Sequence, residues 1–174
     1  PLIKHLYINR MGHFPHAVNH YYSREAGKYA YAVLLYCYDG EGWIKINGNK
    51  MALKAGDVFL FPAYSEHSYG ASTEKPWSIL WMHLSGNNTG ELMEASDLKT
   101  KGAPLHTVYS EERVELFNQI FKTLSKGFSI SNLLYANLTL PHYLATFIAQ
   151  DSFNNLSRVP TPGQDYITEV IAYM

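Results

Sequence analysis

The sequence predicts a mainly β chain with helices appended: an antiparallel barrel or sandwich followed by two helices. Three observations carry that prediction. Between residues 29 and 84, five or more short apolar segments are separated by turn residues, which is the spacing of an all-β domain. One separator is Asn47-Gly48, a pair that accepts the positive φ angles of a tight hairpin turn. Beyond residue 110 the apolar residues recur every three to four positions instead of every two, so the period changes from strand to helix.

Each element can be justified in turn. Residues 1–30, rich in His and Tyr, show neither period and are expected to be irregular, with an N-terminal arm. "YAYAVLLYCY", 29–38, reads as a strand buried on both faces, followed by the turn "DGEG", 39–42. "WIKI", 43–46, alternates as a half-buried strand does. "KMALKAG", 50–56, returns across the Asn-Gly turn, and "DVFLF", 57–61, is an apolar strand stopped by Pro62. "HSYGA", 67–71, and "WSILWMHL", 77–84, complete the series. In the last of these, Trp77, Ile79, Trp81 and His83 share one face; Leu80, Met82 and Leu84 share the other. "SGNNTG", 85–90, is expected to be a loop.

The helical half begins at Ser110, a hydroxyl cap followed by Glu111 and Glu112 at the positive end of the helix dipole. Val114, Phe117, Ile120, Phe121 and Leu124 recur at helical spacing up to Gly127. A second helical pattern spans about 130–150, with Pro141 inside it to kink or divide it. "RVPTPG", 158–163, reads as a linker, and 164–174 as the first turns of a further helix. The expected organisation is a barrel over 1–108, a helical region over 109–157, and a linker with the start of another domain over 158–174.

Composition excludes some functions. The 174 residues carry 14 Lys and Arg against 15 Asp and Glu, so nothing advertises a nucleic-acid or anionic-membrane surface. No signal peptide and no apolar run near 18 residues is evident, which makes cytoplasmic the expected location and a membrane partner unexpected. The single cysteine, Cys37, sits in an apolar run and is expected to be a buried thiol. The 14 Tyr and 3 Trp suit both a pleated core and a pocket with stacking faces.

"GDVFLFPAYSEHSYG", 56–70, gathers the residues most suggestive of chemistry. Gly56, Pro62 and His67 resemble the second sequence motif of the cupin superfamily, a group of small antiparallel barrels. Metal-binding cupins pair that motif with an upstream His-x-His and a Glu. The upstream segment here, "GEGWIKING", 40–48, contains no histidine, and one His67 cannot supply a metal site. The motif's usual second glycine is replaced by Tyr64. No metal and no cofactor are expected. His13, His16 and His20 would share a helix face, but Pro15 argues against a helix there. No nucleophile elbow or phosphate loop is present, so no catalytic residue is assigned.

The succession "YYSREAGKYAYAVLLYCYDGEGWIKING", "KAGDVFLFPAYSEHSYG", "PWSILWMHL" and "SNLLYANL" resembles the N-terminal ligand-sensing and dimerisation region of AraC-type bacterial transcription regulators. The resemblance implies a metal-free cupin-like barrel (a double-stranded β-helix, or jelly roll) that holds a small effector, often a sugar. It also implies a homodimer made through the last helices. DNA would be bound only by a following helix-turn-helix domain, absent here apart from its first turns. By comparison with arabinose-sensing members, the matching ligand-binding positions are Arg24, His67, Tyr69 and Trp81, with Ile79 where those members place a pocket histidine. Leu133, Asn137 and Leu144 match the family's dimerisation contacts, and their i, i+4, i+11 spacing puts them near one helix stripe. Two other readings stand beside the sensor: a small cupin enzyme such as a sugar isomerase or epimerase using His67 and Tyr69, and a plain dimerisation module.

Overall fold

The computed structural model describes residues 4–95, 98, 102–108 and 110–148. The expected linker at 158–163, the helix start at 164–174 and the end of the helical region at 149–157 lie outside the described residues. So do positions 1–3 of the expected arm.

Among the described residues, nine strands and three helices follow one another: β1 (Tyr7–Phe14), β2 (Tyr21–Arg24), β3 (Ala32–Asp39), β4 (Glu41–Ile46), β5 (Asn49–Lys54), β6 (Asp57–Phe61), β7 (His67–Ala71), β8 (Ser78–Ser85), α1 (Thr89–Ala95), β9 (Leu105–His106), α2 (Glu111–Ser125) and α3 (Ile130–Ile148). They form two sheets, ordered β1-β8-β3-β6-β9 and β2-β7-β4-β5. The pairing within both sheets is antiparallel throughout. From β1 to β8 the chain crosses between the sheets at every connection except the β4–β5 hairpin, the order of a double-sheet jelly roll, the architecture that cupins share. The expected barrel is therefore built from two facing sheets, not from one continuous hydrogen-bonded ring.

Local chemistry explains the strands. β3 has no exposed residue from Ala32 to Cys37, because Val33, Leu35 and Cys37 face the space between the sheets while Ala32, Leu34 and Tyr36 face the helices. The β4–β5 hairpin turns at Asn47 (φ 50°) and Gly48 (φ 81°), two successive left-handed residues. Tyr64 also adopts φ 61°, which is the conformation that makes glycine the usual occupant of that position. β6 stops at Phe61, before Pro62.

Two strands lie where the sequence predicts irregular chain. β1 covers β8 along the edge of the larger sheet, and β2 covers β7 along the edge of the smaller. Tyr7–Phe14 is thus a sheet strand and not a free arm. Both edges are largely exposed, so no apolar alternation marks them. α1 and β9 were also unexpected, α1 starting inside the predicted 85–90 loop.

The helices follow the expected capping. The Ser110 hydroxyl accepts from the Arg113 N–H at 3.3 Å, and Gly127 leaves the helix end at φ 123°. α3 runs undivided through Pro141. Both helices pack on the outer face of the larger sheet: Leu116, Phe117, Ile120, Leu140, Tyr143, Leu144 and Phe147 meet Leu34, Tyr36, Leu80, Met82 and Leu84. Arg113 is buried in this layer. It donates to the Tyr36 and Thr107 hydroxyls (both 3.2 Å), the Val108 carbonyl (3.0 Å), and the hydroxyl and carbonyl of Thr146 (3.1 and 2.6 Å). Its guanidinium also lies against the rings of Tyr36 and Phe147, at 4.9 and 4.4 Å.

Candidate functional site

The space between the sheets is apolar at one end, where Ile44, Leu53, Phe59, Trp77 and Ile79 pack together. Ile79, predicted as a pocket position, is completely buried in that apolar group. The other side chains of the predicted ligand set are polar and come from three strands. In register, Arg24 on β2 stands opposite His67 on β7. Tyr69 lies two residues on, and Trp81 and His83 share the inward face of β8 in the opposite sheet.

Arg24 bridges the two sheets. Only 4% of it is exposed. One terminal nitrogen donates to the Tyr31 hydroxyl at 2.5 Å, and the other lies 3.0 Å from His83 Nε2. The rings of Tyr22, Tyr29 and Tyr31 surround its guanidinium at 4.7–5.0 Å. Its neighbour Glu25 pairs instead with Lys28 at the surface.

The donor–acceptor logic fixes both histidine tautomers. A guanidinium can only donate, so His83 Nε2 accepts and the proton of the neutral ring sits on Nδ1. His67 Nδ1 lies 3.0 Å from the Ser65 carbonyl, which can only accept, so that nitrogen carries the His67 proton and Nε2 holds a bare lone pair. Both rings stack on aromatic partners, His67 on Phe61 (4.2 Å between centroids) and His83 on Tyr31 (4.5 Å). Burial lowers the pKa of His67 to about 4 and that of His83 to about 3, with the Arg24 charge pushing both the same way. Burial raises the Tyr69 hydroxyl to about 12, although the nearby Arg24 charge opposes the shift.

Four buried polar atoms of this cluster have no partner: Arg24 Nε, His67 Nε2, Trp81 Nε1 and His83 Nδ1. Given the tautomers, these are three N–H donors and one acceptor. Buried polar atoms are ordinarily satisfied, so their concentration here marks a place where another molecule can complete the bonding. The Trp81 ring is held against β1. It stacks with Phe14 at 5.9 Å and lies so close to Gly12 that a Cβ there would come within 2.6 Å of it.

Among the described residues, no group of three or more His, Cys, Asp or Glu side chains could hold a metal ion. No described helix is long and apolar enough to cross a membrane. Cys37 is buried, and burial raises its thiol pKa to about 12.

The model of the AraC-like ligand binding domain matches residues 8–138, most of the chain and all of this cluster. The chain belongs to that family. As an AraC-like ligand binding domain it has relatives with regulatory names. It is 27% identical over 141 residues to the MmsAB operon regulatory protein of Pseudomonas aeruginosa, covering 78% of this chain and 45% of that one. It is 24% identical over 172 residues to the Msm operon regulatory protein of Streptococcus mutans, covering 92% and 60%. The raffinose operon transcriptional regulatory protein RafR of Pediococcus pentosaceus is 27% identical over 101 residues, covering 58% and 36%. The chain thus spans about half the length of the curated relatives it matches.

In this AraC-like domain the three predicted helix contacts differ in burial, with Leu144 buried, Asn137 half-buried and Leu133 exposed. Leu144 is 1% exposed in the core beneath α3. Asn137 accepts from the Ile8 N–H of β1 at 2.8 Å and donates to the Leu133 carbonyl at 2.7 Å. Leu133 and Asn137 line a groove of about 430 Å³ against Ile8–Met11 of β1. Asn137 and Leu144 therefore pack towards the chain's own sheet, while Leu133 keeps an exposed flank. The outward positions are Ile130, Tyr135 and Leu138, with Leu133 40% exposed at the margin.

The sequence reading missed Tyr31 and His83 as members of the polar cluster. His83 was detectable, since it shares an alternating face with Trp81. Tyr31 had no local signal, because its contacts with Arg24 and His83 are made only by the fold.

Proposed function

We propose that this chain is the effector-sensing domain of an AraC-type transcription regulator, binding a sugar-like small molecule between its two sheets. The four unpartnered polar atoms on Arg24, His67, Trp81 and His83 carry this reading. A polyhydroxylated ligand offers acceptors to the three donors, a hydroxyl to His67 Nε2, and a C–H face to the Trp81 ring. Tyr69 lines the same apolar and aromatic group and adds a hydroxyl. The raffinose regulator among the relatives agrees with a sugar as effector.

Binding here has a short physical route to the helices. β8 presents Trp81 and His83 to the cluster, while its alternate residues Leu80, Met82 and Leu84 pack under α2 and α3. A ligand that binds two arrangements of this wall unequally shifts their populations, and the helix pair shifts with them. The same reading makes the protein a cytoplasmic homodimer paired through α3, with DNA bound by a further domain. It also makes the chain non-enzymatic. With its pKa near 4, His67 is too weak a base to abstract a sugar proton at neutral pH.

Calorimetric titration with pentoses, hexoses and uronic acids tests the proposal. Saturable 1:1 binding to at least one, weakened by Trp81→Ala, is the expected result. Binding to none of them overturns the sugar reading. Chemical turnover of a bound sugar, abolished by His67→Ala, would replace the sensor with an enzyme.

A further inference from the structure

We infer that the ligand of this site carries one carboxylate: a sugar acid, not a neutral sugar. The inference rests on the binding site proposed above and specifies its chemistry.

The observation behind it is an uncompensated charge. Arg24 is 4% exposed, yet no carboxylate among the described residues forms an ion pair with it. The Arg24 charge reaches His67, Tyr69 and His83, and the Arg10 charge reaches His83 as well. The direct partners of Arg24 are the phenol oxygens of Tyr31 and Tyr69, a neutral imidazole and three ring faces, none of them an anion. A cation withdrawn from water without a counter-ion is strongly unfavourable. An incoming negative charge would relieve it.

Arg113 provides an internal control. It too is buried without an acid, but its Nε and both terminal nitrogens all donate, to five acceptor contacts among them. In that case the bonding is complete. The Nε–H of Arg24 has no acceptor, and two further unpartnered donors, Trp81 Nε1–H and His83 Nδ1–H, belong to the same cluster. Three donors beside an unbalanced cation suit an acceptor-only group. A carboxylate has about four lone-pair sites and one negative charge. A neutral hydroxyl has only two lone pairs, must place its own proton, and leaves the charge unbalanced. A phosphate dianion brings two charges where the neutral histidines leave Arg24 as the one buried cation to meet them. The single orphan acceptor, His67 Nε2, then takes a hydroxyl from the rest of the ligand, which places the acid on a polyol.

Titration of the 174-residue chain with matched ligands tests this. The probes are D-galactose, D-galacturonate and its methyl ester, D-glucose, D-glucuronate and D-glucose 6-phosphate. At least one free acid is expected to bind about tenfold or more tighter than its neutral parent, which is the scale of a charge-assisted hydrogen bond. The methyl ester is expected to bind no better than galactose. In Arg24→Gln the advantage of the acid should fall to about twofold or less. Arg24→Met without ligand should melt at a higher temperature than the parent, because it removes the unbalanced charge; a purely structural arginine would show the opposite. Equal binding of acid and neutral parent overturns the carboxylate while leaving the sugar site standing. Tightest binding by the phosphate also overturns it. Binding of no probe at all removes both the acid and the sugar.

Discussion

Lowering the pH from 8 to 5 should destabilise this domain through His67 and His83. In the folded chain both rings are neutral, with pKa values of about 4 and about 3. In the unfolded chain they return to about 6.5. Above pH 6.5 neither state binds these protons, and the histidines do not affect stability. As the pH falls below 6.5 the unfolded chain takes up protons that the folded chain refuses, so stability is lost. At pH 5 the linkage amounts to about 2 kcal/mol for each ring, or about 4 kcal/mol together. The structural cause is specific. Each ring has one nitrogen already committed, His67 Nδ1 to the Ser65 carbonyl and His83 Nε2 to Arg24. A second proton on His83 would have to sit on the nitrogen that faces the guanidinium. Urea unfolding at pH 8, 7, 6 and 5 measures the effect, and the double variant His67→Gln/His83→Gln isolates it from the surface histidines. The parent should lose several kcal/mol between pH 7 and 5 and the double variant far less. A parent that loses under about 1 kcal/mol, or a double variant with the same slope, refutes the neutral buried pair.

Two further outcomes follow from packing. Leu144→Ala should destabilise the fold by about 2–5 kcal/mol in chemical unfolding, as for a fully buried leucine; a change confined to the concentration dependence of dimerisation would instead return Leu144 to a partner interface. Gly12→Ala should cost about 1–3 kcal/mol and shift the tryptophan emission, because its Cβ would sit 2.6 Å from the Trp81 ring. Unchanged emission and melting temperature would mean that the ring is free to move.

Much of the architecture was legible because its strands are buried. The alternation in Trp77–Leu84 separates the residues facing the opposite sheet from those facing the helices, and the structure keeps that division. β1 and β2 were illegible for the converse reason: as edge strands they are exposed along much of their length and carry no apolar period. Arg24 came from family resemblance alone, since nothing near it in sequence announces a buried cation. Its link to His83 spans 59 residues and two sheets, and no local pattern encodes such a contact. The α3 stripe shows another limit. Spacing groups Leu133, Asn137 and Leu144 on one side of a helix, but it does not say whether that side meets a partner or the chain's own sheet.

Arg113 has a mechanical consequence. Its nitrogens reach β3, the segment leading into α2 and the distal half of α3, while its own backbone belongs to the first turn of α2. Sliding α3 past the sheet by one turn would strip both bonds to Thr146 and leave two guanidinium nitrogens without an acceptor in a buried layer. The pin therefore favours motions that carry helices and sheet together. A displacement begun at β8 would then be felt as a tilt, largest far from the pin, towards the α2–α3 turn where Phe128 stands 78% exposed.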